Sequence, residues 1–261
     1  MLRYRLATLY DYVDYFVIVE STHTHVGKEK EMYFNIEDFS MYKDKIVYVI
    51  VKDFQYIYPN INFNKSEQWL NEKHQRNCIV RGLEQINLFN KLDDDDILVI
   101  SDLDEIIDRN ILTIIRANNI KIEVNSLEQD FYYYNLNSRL QDKWYHAKIL
   151  SYSALKKFQS NNLTLSDIRA MTFSYICNGG WHLSYFGDKY FIKNKIENFG
   201  HQELNNDNFT DLEKIEERKN NAKDLYARHN HDFIKISIAD NKYLPHEYDK
   251  YLSKYIIICK T

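Results

Sequence analysis

The chain has 261 residues, 44% of them hydrophobic and 28% charged, with a formal net charge of −4. That length suits one large α/β domain or two small ones, and the apolar content is enough for a core. The charge gives no cationic footprint for nucleic acid or an anionic membrane, and Cys78, Cys177 and Cys259 lack metal-like or redox spacing, so reduced thiols are expected.

Residues 2–12 carry apolar or aromatic side chains at 2, 6, 9 and 10 with Arg3, Arg5 and Asp11 between, which predicts an amphipathic helix. A buried-type strand follows at 15–20 and ends in Glu20. A polar loop then carries His23, His25, Gly27, Lys28 and Lys30. A short helix at 37–42 leads to a strand at 45–51. Residues 66–89 read as one long helix, with Asn64 and Glu67 spaced as a capping box and a stripe from Trp69 through Cys78, Ile79, Leu83 and Ile86 to Phe89. Asp93-Asp94-Asp95 reads as a solvated turn. Ile97-Leu98-Val99-Ile100 is an unbroken apolar run, as expected of a strand buried on both faces, and a helix follows at 111–118. The alternation of helix and strand to this point predicts an α/β fold, a Rossmann-type, mostly parallel sheet flanked by helices.

Beyond Lys121 the pattern changes. Tyr-rich strands are expected at 127–135 and 144–152. Strands at 171–177 and 181–186 flank Asn178-Gly179-Gly180, which reads as a hairpin. Helices are expected at 189–199 and 211–228. There is no repeat or linker, so residues 1–261 are taken as a single domain, with a donor half at about 1–120 and an acceptor half at about 121–261. No apolar run approaches the eighteen or so residues of a membrane span, and no leader precedes Arg3 and Arg5, so a cytoplasmic or otherwise soluble protein is expected.

The chemistry-bearing residues gather at strand ends. Side chains alternate along an extended segment, so Asp102 and Asp104 should face one way, beyond the carboxyl end of a buried strand where open α/β sheets collect ligands. Two acids there suit a hard divalent cation that leaves positions free for substrate phosphates. The plainer reading makes them turn acids, with Asp108 or Asn110 capping the next helix. Glu20 ends another strand on the same rim and is placed to meet a base or ribose. Arg76, followed by Asn77, suits a phosphate or ribose, and Lys28 and Lys30 a diphosphate; the plainer reading makes each an ordinary surface residue. Trp181 and His182 face opposite sides, so one packs inward while the other meets the ligand. His201 and Glu203 could supply a metal ligand and a base, and Tyr132, Tyr133, Tyr134 and Trp144 an aromatic acceptor platform.

Several segments share one order and spacing: Phe16-Val17-Ile18-Val19-Glu20-Ser21 with Thr24, Gly27 and Lys30; Trp69 with Gln75-Arg76-Asn77; Ser101-Asp102-Leu103-Asp104-Glu105; and Gly180-Trp181-His182-Leu183-Ser184. Together they resemble glycosyltransferase family 17, the β-1,4-mannosyl-glycoprotein 4-β-N-acetylglucosaminyltransferase family, over roughly residues 1–203. The resemblance implies a GT-A-like fold, a UDP-sugar donor (probed first as UDP-GlcNAc), a glycan or glycoprotein acceptor, a divalent metal (Mn²⁺ or Mg²⁺) and inversion at the anomeric carbon. It implies a metal set of Asp102, Asp104 and His201. On the donor side it implies Glu20, Arg76, Asn77, Trp181 and His182, to which the reading of the residues adds Lys28, Lys30, Ser101 and Asp102. Glu203 and Asp188 are the candidate general bases, since both follow the Gly-Trp-His segment. The family's first strand lies upstream of the part matched here, which predicts an open sheet edge and a weakened donor site. The alternatives are a sugar- or nucleotide-binding pseudo-transferase and a haloacid-dehalogenase-like phosphatase with Asp102 as nucleophile. The phosphatase pattern wants Thr or Val where Ile106 stands.

Overall fold

A computed structural model describes residues 1–88, 92–228 and 233–257. Phe89 and Cys259 therefore lie outside the described residues. Helix α1 (Leu2–Leu9) buries Tyr4, Leu6 and Leu9 and runs on as a 3-10 turn, Tyr10–Tyr12. Strand β1 (Phe16–Ser21) pairs in parallel with β2 (Ile46–Val51), Phe16 opposite Ile46, and a 3-10 segment, Ile36–Lys45, precedes β2.

The long helix expected at 66–89 divides at Cys78 into α2 (Glu67–Asn77) and α3 (Ile79–Asn87). Helix α3 lies flush on β1: a Cβ at Gly82 would come within 2.3 Å of Val17 Cγ1. Helix α2 instead buries the polar side chains of Gln68 and Asn71. Asn64 and Glu67 do not form the expected box, because Glu67 Oε2 accepts from the Asn62 N–H at 2.6 Å.

Strand β3 (Ile97–Ile100), β4 (Glu105–Ile107) and α4 (Arg109–Ala117) follow. Asp108 caps α4, accepting from the Asn110 N–H at 2.9 Å. Then come β5 (Val124–Tyr133), β6 (Ser138–Trp144), β7 (Lys148–Ser151), α5 (Tyr152–Ser160), α6 (Leu165–Ala170) and β8 (Tyr175–Ser184). Helices α7 (Lys189–Asn198), α8 (Asp207–Thr210) and α9 (Leu212–Asn220), strand β9 (Phe233–Lys235) and helix α10 (Tyr248–Tyr251) follow.

The mostly parallel sheet is not what forms. Strands β1 and β2 stand as a separate pair, and β3 to β9 make a mixed seven-stranded sheet. Only β5–β8 pairs in parallel there, while β3–β7, β5–β7, β5–β6, β6–β9 and β4–β8 are antiparallel. The strand expected at 144–152 is a corner, with β6 ending at Trp144 and β7 starting at Lys148 before Ser151 caps α5. The hairpin expected at Asn178-Gly179-Gly180 is the middle of one strand, β8. Gly180 is glycine because it has φ +129 and because a Cβ there would sit 2.0 Å from the Ile106 carbonyl oxygen of β4.

Alternation along β3 builds the layers. Ile97 and Val99 pack with α1 and α4 on one face, through Leu6, Leu9, Ile111 and Ile115. Leu98 and Ile100 pack with α3 and α5 on the other, through Leu83, Ala154 and Leu155. Tyr132, Tyr133 and Tyr134 are core residues and offer no exposed platform. Among the described residues, no helix is long and apolar enough to cross a membrane.

Candidate active site

Strand β1 ends at a rim that the Glu20 carboxylate organises. Its Oε1 accepts from Lys30 Nζ and the Tyr33 N–H, each at 2.7 Å. Its Oε2 accepts from the Phe34 N–H at 3.0 Å and Tyr48 OH at 2.9 Å. Burial pushes this carboxyl's pKa up, but Lys30 and the two backbone donors outweigh that and hold it below the usual value. Glu20 thus pins the loop through Phe34, and Lys30 is committed to it.

Beyond β3 the chain leaves the extended conformation at once. The Glu105 N–H donates to the Asp102 carbonyl at 3.1 Å, and Glu105 Oε2 accepts from the Asp102 N–H at 2.8 Å. Asp102 and Asp104 therefore belong to a tight turn, where strand alternation no longer applies. Arg5, reaching across from α1, clamps that turn. It donates to the Asp102 carbonyl at 3.0 Å, to the Glu105 carbonyl at 2.8 Å and to Ser101 Oγ at 2.5 Å.

Each acid of the turn has cationic partners. The Asp102 side chain is 45% exposed, with Oδ1 3.3 Å from Arg76 Nη2 and Oδ2 2.8 Å from Arg169 Nη2. Asp104 meets His182 Nε2 at 3.5 Å and Lys195 Nζ at 3.1 Å. Burial raises the Asp104 pKa, yet Lys195 and His182 carry it well below the carboxylate range, and Asp104 in turn raises Lys195 against the effect of burial. Glu105 is 0% exposed; Arg169 forks both its oxygens and Trp144 Nε1 donates to Oε1 at 2.5 Å. Burial opposes its ionisation, but the Arg169 guanidinium wins and holds Glu105 at about 2.

His182 stacks on Phe131, ring centroids 4.5 Å apart and 8° from parallel, and Trp144 lies 4.4 Å away. Both Trp181 and His182 are buried, so neither offers an open face; Trp181 Nε1 donates to the Tyr243 carbonyl at 3.1 Å. The remaining candidates sit apart. Asn77 Oδ1 accepts from the Ser166 N–H at 2.9 Å, and Lys28 is exposed, 5.9 Å over the Tyr58 ring. Asp188 caps α7, accepting from the Phe191 N–H at 2.8 Å. His201 and Glu203 pair with each other at 2.6 Å on the surface, beside Trp69.

Among the described residues, the group that brings three metal-type ligand atoms within 4.8 Å of one another is Asp53, His74 and Cys78. Arg81 there forks the Asp53 carboxylate at 3.0 and 2.6 Å. Sequence reasoning missed Arg5, Arg169 and Lys195. They come from α1, α6 and α7, and a lone basic residue far away in sequence carries no signal of its target. Arg169 had one indirect cue, the capping box of Thr164 and Asp167 that starts its helix.

A cavity of about 1430 Å³ opens at the rim, where Glu20, His25, Arg76, Ser101, Asp102 and Lys195 line it. Its mouth thus combines a half-exposed carboxylate with arginine and lysine donors, a surface suited to an anionic ligand with or without a bound cation. The sequence model of glycosyltransferase family 17 matches residues 1–241 of the chain, which therefore belongs to that family. No curated protein and no solved structure matches.

Proposed function

Taking that family membership as the premise, we propose that the enzyme moves a sugar, GlcNAc, from a UDP-sugar to a glycan hydroxyl at the rim between Glu20 and Asp102, on a GT-A-like framework. The observation that carries this is the half-exposed Asp102 carboxylate, 3.3 Å from Arg76 Nη2 at the mouth of the cavity. Arg76 would bind a donor phosphate; its buried Nε has no hydrogen-bond partner. Glu20, by fixing the loop that carries Lys30, would shape the nucleoside side, and the exposed Lys28 could reach the diphosphate.

A divalent ion, Mn²⁺ or Mg²⁺, fits Asp102 better than Asp104. Asp102 offers hard oxygen ligands, half-exposed, with one long contact that can yield, whereas Asp104 is held by Lys195 and His182. Asp102 would hold the ion, which supplies charge neutralisation for the departing UDP. Asp104 and His182 would fix the turn from beneath, and Ser101, clamped by Arg5, would fix its start. Trp181 and Asn77 would support the site through packing and through the start of α6. The acceptor's proton goes to a carboxylate; Glu203 and Asp188 remain the candidates, with His201 beside Glu203.

The test is a transfer and hydrolysis assay with UDP-GlcNAc and Mn²⁺, on wild type and Asp102→Ala. Metal-dependent turnover lost in the variant supports the reading; turnover unchanged in the variant removes Asp102 from it. Binding of UDP-GlcNAc without any turnover would favour a donor-binding protein, a reading that the closed ion pairs on Asp104 also support.

A further inference from the structure

The end of β2 and the joint between α2 and α3 bring three unlike ligand groups together. His74 and Cys78 are four residues apart, and the Cys78 N–H donates to the His74 carbonyl at 3.0 Å, so helical geometry sets both side chains on one face. Cys78 packs with Val49 and Val51 of β2 and with Phe54 just beyond it. That apolar cluster carries Asp53, between Val51 and Phe54 in the chain, to the same place. The Phe54 ring stands edge-on to the His74 imidazole, centroids 6.1 Å apart. His74 Nε2 then lies 3.7 Å from Cys78 Sγ and 3.3 Å from Asp53 Oδ1.

These contacts separate two readings. In a nucleophilic Cys-His-Asp relay the thiol and the carboxylate engage opposite nitrogens of the ring. Here both meet Nε2, and burial pushes the Cys78 thiol pKa up, away from a free thiolate. A metal ion fits instead. Tetrahedral zinc, with bonds of about 2.3 Å to sulfur and about 2.0–2.1 Å to nitrogen or oxygen, sets its ligand atoms ~3.6 Å apart for S and N and ~3.3 Å apart for N and O. The observed 3.7 and 3.3 Å match those edges, and the third pair, Asp53 and Cys78, lies within 4.8 Å. Arg81 donates to Asp53 Oδ1 at 3.0 Å and to Oδ2 at 2.6 Å. It competes with an ion for Oδ1, but its shorter bond goes to Oδ2 and can stay in place, orienting the carboxylate as outer partners of metal ligands do. Arg81, with His74 beside it, also holds the Asp53 carboxyl below its usual range, so the oxygen ligand is ionised.

We propose that Asp53 Oδ1, His74 Nε2 and Cys78 Sγ bind one Zn²⁺ ion, with water in the fourth position on the side where Asp53 and His74 meet solvent. Binding exchanges the Cys78 S–H bond for a zinc–sulfur bond and releases that proton to solvent, while His74 coordinates as the neutral imidazole. A thiolate and an imidazole select a borderline-soft ion, unlike the all-oxygen Asp102 that suits Mn²⁺ or Mg²⁺. None of the three residues lines the cavity at the rim, so the site stands apart from the proposed transfer reaction. Its ion staples the exit of β2 to the joint after α2, the helix that carries Arg76. One cysteine takes part, so the spacing of the cysteines carries no sign of it.

The experiment strips residues 1–261 with a chelator and titrates them with Co²⁺, a spectroscopic probe, and with Zn²⁺ by calorimetry. The expected result is one thiolate-bound ion per chain, seen as a sulfur-to-cobalt charge-transfer band with the strong visible absorption of a tetrahedral ion, and a higher melting temperature with Zn²⁺. Cys78→Ser should abolish the band, whereas Cys177→Ser with Cys259→Ser should keep it. His74→Ala, at a half-exposed position, should weaken Zn²⁺ binding by at least about tenfold, the low end of what even outer partners of a metal contribute. A roughly tenfold excess of Mn²⁺ should leave the cobalt band in place. A wild-type cobalt spectrum without charge transfer, a band that survives Cys78→Ser, a smaller loss in His74→Ala, or displacement of Co²⁺ by Mn²⁺ overturns the proposal. Should Cys78→Ser fail to fold, His74→Ala and Asp53→Asn decide: loss of the band in both supports the site, and a band unchanged in either refutes it.

Discussion

Removing the Arg169 guanidinium, as in Arg169→Met, should damage the protein more than any other single change at the rim. Arg169 is 6% exposed, and it forks the fully buried Glu105 while also holding Asp102 at 2.8 Å. Without it the Glu105 carboxylate keeps only Trp144 Nε1 and the Asp102 N–H as donors. Breaking one partner from a buried pair typically costs about 3–5 kcal/mol. At roughly 2–4 °C per kcal/mol for a chain of this size, melting should fall by about 6–20 °C. Arg169→Met with Glu105→Gln should recover part of that loss, since the uncompensated charge goes.

The pH dependence gives a second readout, with a definite sign. In the wild type Glu105 is held at about 2, against about 4.3 in an unfolded chain. Its stabilisation is therefore complete above about pH 4.3 and lost as pH falls toward 2. In Arg169→Met the effect of burial is left without its main opponent and raises the Glu105 pKa. The variant's penalty is then full at neutral pH and relieved on acidification, so the gap between the two proteins narrows as pH falls. Urea midpoints from pH 4 to 8 measure this. A loss below about 1 kcal/mol, or a gap that widens toward low pH, would refute the account of Glu105 as a charge held by Arg169.

By calorimetry, Asp102→Ala should abolish Mn²⁺-dependent UDP binding with little change in melting. Asp104→Ala should keep weaker binding but lose about 1–3 kcal/mol, since Lys195 is left without its carboxylate. Equal binding in both variants would contradict the division of roles between the two acids. Gly180→Ala should destabilise by more than about 2 kcal/mol in urea, because the backbone carbonyl of Ile106 and the positive φ both oppose a Cβ. Lys148, buried with its ammonium on the Tyr145 carbonyl, has its pKa lowered to about 8, first by burial and then by the Arg169 charge. The unfolded chain holds that proton to about 10.4, so Lys148 contributes stability that rises from pH 8 to 10.4. Lys148→Met should flatten that part of the profile, and identical slopes would show that Lys148 does not titrate in this range.

The elements legible in the sequence are those whose packing repeats with a regular period. Strands β1 to β3 and helix α7 lie within a residue of the expected bounds, and α1 reaches the expected end at Tyr12 by way of a 3-10 turn, because one or both faces meet apolar neighbours along their length. The expectation failed where a single backbone contact overrode the local cue. Asn178-Gly179-Gly180 has the composition of a turn, yet its glycines serve the approach of β4 to β8. The mixed sheet was equally hidden: a buried strand looks the same whether its neighbour runs parallel or antiparallel, and β5 pairs with β7 through its first residues and with β6 and β8 through its Tyr-rich run.

The acid pair was found for a reason only half right. Alternation along a strand placed both carboxylates on one face, but the chain turns at Ser101, and what separates the two acids is which cations reach them. Arg76 and Arg169 approach Asp102 and leave it 45% exposed, while Lys195 and His182 cover Asp104. Those four residues come from α2, α6, α7 and β8, up to 91 positions away from their acid. No spacing rule reaches that far, so the motif can name the acids but only the packing of those four elements decides which one is free to meet a ligand. That is why Asp102→Ala and Asp104→Ala should part company, one in binding and the other in stability, although the two residues look interchangeable in the sequence.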